Sequence, residues 1–236
     1  MTVTLGRFLF RHRNVLFPSA IALTFVPGPD VFGAPLFAAA LGAVFALAGQ
    51  AVRALTIGLD YIVRGGRGGR AYADRLVTGG IFAHCRNPMY LGNLLIITGL
   101  AVAADNWVAL VVAPALFLFA YHCIIRAEED YLLTKFDGEY LRYCERTPRL
   151  AFRVEGLAET VRAMPFRWRR LVVKEYGTPV AWITGLALLA IINLLEDPGF
   201  GPSRDAIMGL VAIVGVAAAL WLFARVLKKT GRLAGD

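Results

Sequence analysis

Charge is scarce in this chain. Of 236 residues only 18% are Asp, Glu, Lys or Arg. Soluble domains carry nearer a quarter. Acidic residues are scarcer than basic ones, 17 against 25, which leaves a formal charge of +8. There are only three histidines and three cysteines, Cys85, Cys123 and Cys144. An odd cysteine count without C-x-x-C spacing argues against a disulfide framework and against a zinc ribbon. His84-Cys85 and His122-Cys123 lack metal-site spacing, so no metal is expected. No basic-aromatic recognition module is present, so the positive charge does not point to nucleic acid. No βαβ pattern surrounds Gly66-Arg67-Gly68-Gly69-Arg70-Ala71, so that G-x-G-x-x-A match reads as a flexible basic loop.

What fills the chain instead is apolar sequence. It is 58% hydrophobic, with a mean hydropathy of +0.60. The apolar residues come in unbroken runs of helical length, and a lipid-embedded backbone must satisfy its own polar groups. The expected fold is therefore an all-α, polytopic membrane bundle. Six spans are expected, at roughly 14–27, 31–62, 88–104, 107–125, 178–195 and 206–227. The first follows Arg7, Arg11 and Arg13 as a signal peptide would, but Val26-Pro27-Gly28-Pro29 is a turn and not a cleavage site, so a retained helix is expected. Lys and Arg crowd 1–13, 63–87, 126–177 and 228–236, while the opposite turns hold only Arg204. By the positive-inside rule both termini face the cytoplasm, in an inner or plasma membrane.

One membrane domain is expected over 1–236, with a core at 75–150 and a further hairpin at 178–227. Asp105-Asn106 joins two apolar runs into a helical hairpin. Leu132, Phe136, Tyr140 and Tyr143 make one face of a helix that Asp137-Gly138 interrupts and Thr147-Pro148 ends. The basic, aromatic stretch Phe166–Lys174 suits an interfacial helix. Arg53 lies inside the second run, with Gln50 one turn before and Asp60 two turns after. A charge there pairs, snorkels or lines a polar cavity.

Two motifs converge. Arg86-Asn87-Pro88-Met89-Tyr90-Leu91-Gly92 opens the third run, with Pro88 fit for the first helical turn and Asn87 fit to cap it. Glu128-Glu129-Asp130 follows the fourth run. Because the two runs form a hairpin, Arg86 and Glu128 return to one membrane face. An arginine at an exposed helix N-terminus favours a carboxylate.

At these residues the chain resembles the isoprenylcysteine carboxyl methyltransferase and phospholipid methyltransferase superfamily. The correspondence runs through Gly80, Arg86 to Gly92, Glu128-Glu129-Asp130-Tyr131-Leu132 and Phe136 to Tyr143, with Arg53 a looser match. Asn87 stands where the isoprenylcysteine enzymes carry His, which is closer to the phospholipid N-methyltransferases. The resemblance implies a membrane enzyme that uses S-adenosylmethionine and a lipid or lipid-anchored acceptor. It implies that Arg86 and the helix N-terminus hold the cofactor carboxylate, and Glu128 its ammonium or ribose. Tyr90, Tyr140 and Tyr143 would meet the adenine or the cation. Arg53, His84, Asn87, Pro88 and Gly92 complete the cofactor set. Arg86, Glu128 and Glu129 are the catalytic candidates, with Glu129 or Tyr131 as base for an amine acceptor. Two alternatives stay open: an NADPH-dependent membrane reductase of the sterol type, and a small non-enzymatic transporter or assembly protein.

Overall fold

The computed structural model describes residues 1–59, 73–196 and 204–232, with the side chains of 14–17, 19 and 20 outside the description. The glycine-rich loop at 66–71 and Asp60 lie outside the described residues. Eight α-helices are described: α1 (Thr2–Ile21), α2 (Pro35–Gly58), α3 (Pro88–Ala103), α4 (Trp107–Arg146), α5 (Leu157–Ala163), α6 (Trp168–Glu175), α7 (Gly177–Glu196) and α8 (Arg204–Lys229). The only β pairing among the described residues is an isolated bridge between Asp30 and Asn106. The all-helical expectation holds.

Four of the six expected segments, α2, α4, α7 and α8, are long and apolar enough to cross a membrane. At 16 residues, α3 is shorter. The first segment starts much earlier than expected, at Thr2, and takes Arg7, Arg11 and Arg13 onto the helix itself. Arginine is a good helix former, and its long side chain carries its charge to the helix end. Arg7 reaches Asp130 at 2.9 Å, and the Arg13 guanidinium lies 4.1 Å from the Phe10 ring centre.

The fourth segment also exceeds the expectation. The helix does not stop with the apolar run but continues to Asp137, where a kink joins it to a last stretch that ends at Arg146. The interruption read at Asp137-Gly138 is that kink: Asp137 adopts φ 40°, ψ −119°, outside the helical region. Thr147 has extended backbone and closes it, as expected before proline.

The centre of the bundle is the antiparallel pair α2 and α3. A Cβ added at Gly42 would collide with the Gly99 carbonyl, and one at Gly49 with the Gly92 carbonyl. Both pairs are spaced seven residues apart, so they sit on one stripe of each helix. Without side chains there, the two backbones touch. Membrane helices gain no hydrophobic drive from lipid, and such close packing is their substitute. At the far end the turns knit together. Asp105 accepts hydrogen bonds from the Phe32 and Ala34 amides (2.8 and 3.3 Å), and the Asn106 side chain caps α4 by accepting from Ala109 N at 2.7 Å. That is the hairpin expected at Asp105-Asn106.

α1 packs antiparallel on α4, where Gly6 meets the Cys123 carbonyl. α7 packs on α2 and α3; Asn193 Nδ2 donates to the Ala103 carbonyl at 3.0 Å. α8 leans on α7 and buries only Ala217, leaving Met208, Val211, Val216, Leu220 and Phe223 exposed. An apolar face of this kind suits hydrocarbon. One end of the bundle, opposite the turns, carries the starts of α3 and α7, the end of α2, the polar half of α4, and α5 and α6.

Substituting Gly49 with Val should overpack the α2–α3 contact and cost about 1–3 kcal/mol or more. Gly215→Val, on an open face of α8 with no atom within 4 Å, should shift stability by less than about 0.5 kcal/mol. Thermal unfolding in detergent compares the two. Equal losses would refute the glycine contact as the packing determinant.

Candidate functional site

The loop before α3 is fixed first. After the 3-10 turn Gly80–Ala83, it runs against the segment that follows α4. Arg86 N donates to Pro148 O at 2.9 Å and Arg153 N to His84 O at 3.0 Å. His84 is buried. Its Nδ1 lies 2.8 Å from the Arg153 carbonyl, which can only accept, so Nδ1 carries the proton. Nε2 then accepts from the Thr160 hydroxyl at 2.8 Å, and the ring stacks on Phe152. Both ring nitrogens are committed, so the expected cofactor contact becomes a brace between the loop and α5. Asn87 sits at the N-cap position of α3, but its side chain makes no capping bond; Nδ2 donates to the Arg149 carbonyl at 3.0 Å. Pro88 takes the first helical turn, as the sequence predicts.

The two carboxylates of α4 then separate. Consecutive helical residues point about 100° apart, so Glu128 and Glu129 cannot serve one partner. Arg86 pairs with Glu129, Nη1 to Oε1 at 3.1 Å. Arg149 approaches the same carboxylate with both Nε and Nη2, at 2.9 and 2.7 Å. Arg86 Nη1 also lies 2.7 Å from Cys144 Sγ. Burial alone would push the Arg86 guanidinium down, but Cys144, Glu129 and Tyr140 outweigh it, and it ends above its ordinary value. Its Nε is buried with no hydrogen-bond partner among the described residues. Tyr140 is held well above the ordinary phenol range, by burial first and by the Glu129 charge next. It is therefore a neutral donor at physiological pH. Tyr143 donates to the Phe82 carbonyl at 2.7 Å and so braces the loop.

Glu128 faces the other way, into the hairpin. It is 9% exposed, and its Oε1 accepts from the Tyr90 hydroxyl at 3.0 Å. The Tyr90 and Tyr121 rings lie 4.8 Å apart. Asn93 Nδ2 donates to the Tyr121 hydroxyl at 2.9 Å, and Arg53 Nη1 donates to Asn93 Oδ1. Beyond Asn93 lies a buried ion pair that the sequence reading did not find. Arg53 Nε and Nη2 hold Glu175 Oε1 and Oε2 at 2.5 and 2.7 Å. Gln50 donates to the same carboxylate at 3.1 Å and accepts from Trp182 Nε1 at 3.0 Å. Arg53 thus has a partner 122 residues away. The signal was present: Glu175 is the one acid between Glu159 and Glu196, and it sits directly before an apolar run. Gly92 lies under Arg53; a Cβ there would fall 2.5 Å from Arg53 Cγ. Its role is to let the arginine pass. No group of three or more His, Cys, Asp or Glu among the described residues could hold a metal ion.

The structure therefore brings together Arg86, Glu129 and Arg149 on one side, and Glu128, Tyr90, Asn93 and Arg53 on the other. His84, Asn87 and Tyr143 scaffold the loop. Arg149, Tyr121 and Glu175 were missed.

Residues 31–139 match the family model of the phospholipid methyltransferases. The resemblance read from the motifs is thereby confirmed over α2, α3 and most of α4; Arg149, Glu175 and α5 to α8 lie beyond it. A 75-residue stretch is 36% identical to the cobalt-zinc-cadmium resistance protein CzcN of Cupriavidus metallidurans, covering 32% of this chain and 34% of that protein. A 76-residue stretch is 33% identical to the nickel-cobalt-cadmium resistance protein NccN of Alcaligenes xylosoxydans xylosoxydans, covering 32% and 35%. The chain thus spans about a third of the length of these curated relatives. No solved structure matches.

Two outcomes follow from the buried groups. Arg53→Ala and Glu175→Ala should each cost about 3–5 kcal/mol by stranding the other charge, and the double variant should cost much less than their sum. Additive losses in a double-mutant cycle on unfolding would show the pair is not coupled. The Cys85 thiol is pushed up to about 11, by burial first. Since the thiolate is the nucleophile, Cys85 should resist iodoacetamide in the native protein at neutral pH and react once unfolded. Mass spectrometry of labelled peptides reads this directly.

Proposed function

We propose that this protein is an integral membrane methyltransferase that uses S-adenosylmethionine and acts on a lipid or lipid-anchored acceptor. The observation that supports this most is the division of labour between Glu128 and Glu129 inside the 31–139 match. The cofactor's amino-acid moiety carries a carboxylate and an ammonium, and this end of the bundle offers a guanidinium at Arg86 and, on the neighbouring face of α4, a carboxylate at Glu128. Arg86, buried and cationic with an unsatisfied Nε, is suited to the carboxylate, aided by the α3 N-terminus. Arg149 is one third exposed, so it can hold Glu129 when Arg86 turns to a ligand. Glu128 is suited to the ammonium or the ribose hydroxyls, positioned by Tyr90. The Tyr90 face is suited to a cation. S-adenosylmethionine, when bound, supplies an electrophilic methyl on a sulfonium.

Glu129 has both oxygens engaged by arginines. Its part is to position Arg86, which leaves Tyr131 as the candidate base for an amine acceptor. A carboxylate acceptor needs no base. In either case holding donor and acceptor at near-attack distance is most of the catalysis. The described parts of the Lys- and Arg-rich segments flank the same end of the bundle, so we place that end, and both termini, at the cytoplasmic face. In that arrangement α1 and α3 cross alongside the four long helices, giving six spans in an inner or plasma membrane.

A second reading has one observation in its favour. An open cleft of about 370 Å³ beside Tyr143 is lined by Arg142, Arg146 and Arg153. Such a lining would suit the 2′-phosphate of NADPH, as a membrane reductase of the sterol type requires.

Isothermal titration with S-adenosylmethionine, its demethylated product and NADPH separates the readings. The first two should bind and NADPH should not. Glu128→Gln and Arg86→Ala should each weaken cofactor binding by about 2–5 kcal/mol while the helical circular dichroism persists. Unchanged affinity in both variants would overturn the site, and binding of NADPH alone would favour the reductase.

A further inference from the structure

A second cleft opens on the lipid side of α2, α6, α7 and α8, mostly outside the family match. It measures about 370 Å³ and is lined by apolar side chains including Leu171, Val180, Ile183, Leu220 and Trp221. That is within the size range of small-molecule sites. Gln50 and Glu175 form its floor. Their hydrogen-bonding groups are turned into the bundle, to Arg53 and Trp182. The floor is thus polar in composition but spent in bonding.

The mouth is cationic. The Arg225 guanidinium lies 4.8 Å from the Trp221 ring centre, and the Lys228 ammonium, which donates one hydrogen bond to the Val173 carbonyl at 3.2 Å, lies 5.1 Å from the Tyr176 ring centre. The two rings are 6.3 Å apart. Residues 225 and 228 are one turn apart on α8, so the two cations share a face. The last turns of α8 add Lys229 and hold no acid; the acid of that helix, Asp205, is at its other end. α6, which lines the cleft with Leu171 and Val172, is itself basic, carrying Arg169, Arg170 and Lys174, although Arg170 is occupied with the carbonyls of Ile57, Gly58 and Leu59. An apolar slot capped by cations at the end of a membrane helix is complementary to one kind of molecule.

We propose that this cleft holds a hydrocarbon chain of an anionic membrane amphiphile, with its headgroup at Arg225 and Lys228. The chain lies between α2 and α8, and the headgroup sits where Tyr176 and Trp221 mark the interface. The assignment stands whether or not a methyl group is transferred.

Trp221 reports on the cleft. The protein, reconstituted in micelles with acyl-brominated phosphatidylglycerol or phosphatidylcholine, should show saturable quenching of Trp221, isolated by difference with Trp221→Phe. Phosphatidylglycerol should saturate at a lower mole fraction, by about fivefold or more. Arg225→Gln with Lys228→Gln should abolish that preference. Ala224→Phe, which fills the cleft, should remove the saturable component; if it does not fold, the charge variant decides. Equal quenching by both lipids, unchanged in the charge variant, would overturn the proposal and leave only an ordinary lipid annulus. Displacement of the brominated lipid by inorganic phosphate alone would also overturn it, by assigning the mouth to a bare anion.

Discussion

The contact on which the rest depends is the one between two bare stretches of backbone. Gly42 and Gly49 of α2 lie against Gly99 and Gly92 of α3, close enough that no Cβ fits. This approach does more than bind two helices. It lays the stem of Arg53 across Gly92, so that the guanidinium emerges beside Asn93 and within reach of Glu175. A larger residue at position 92 would push the arginine off that path. The placement of the buried charge is therefore a consequence of the absence of a side chain.

From Arg53 a chain of contacts crosses the bundle, by hydrogen bonds except for one ring-to-ring step between Tyr121 and Tyr90. It runs from Trp182 and Gln50 through Glu175, Arg53, Asn93 and Tyr121 to the Tyr90–Glu128 pair. Ion pairs in low dielectric add little net stability, since desolvation offsets attraction. Their value here is geometric. Removing either partner strands a charge, so α6 and α7 are fixed in register against α2 and α3. The segments after residue 157 lie outside the family match, yet they supply the counter-charge for an arginine within it.

Much of this was legible in the sequence, for local reasons. Asp105-Asn106, Asn87-Pro88, Asp137-Gly138 and Thr147-Pro148 were read from the backbone preferences of a few residues, and each marks a real boundary or bend. What could not be read locally was partner choice. The hairpin brings Arg86 and the two glutamates to one end of the bundle, but which carboxylate Arg86 meets depends on the rotation of α4. Arg149 reaches Glu129 only because the chain doubles back after Thr147. The Arg53–Glu175 pair spans 122 residues, and no periodicity encodes it. Asn87 and His84 were expected at the cofactor; in the fold both side chains bond to the chain that follows α4. The glycine stripe is the exception. Its seven-residue spacing in both runs was visible, and small residues at such spacing are a packing signature in membranes.

The length of α4 gives the arrangement its last constraint. One helix carries the apolar residues that lie in the bilayer, both glutamates, and Tyr140 and Tyr143. A helix is stiff along its axis, so the carboxylates are held at a fixed height above the apolar run. The turn end is anchored separately, by Asp105 and by the Asn106 cap. The kink at Asp137 then redirects the last turns so that Tyr143 can meet Phe82, which a straight continuation would carry away from the bundle. Height is set by the rod and direction by the bend. The proposed function, which joins a water-soluble charged molecule to one dissolved in lipid, would need both, because the reacting groups would approach from different phases and could meet only at one depth.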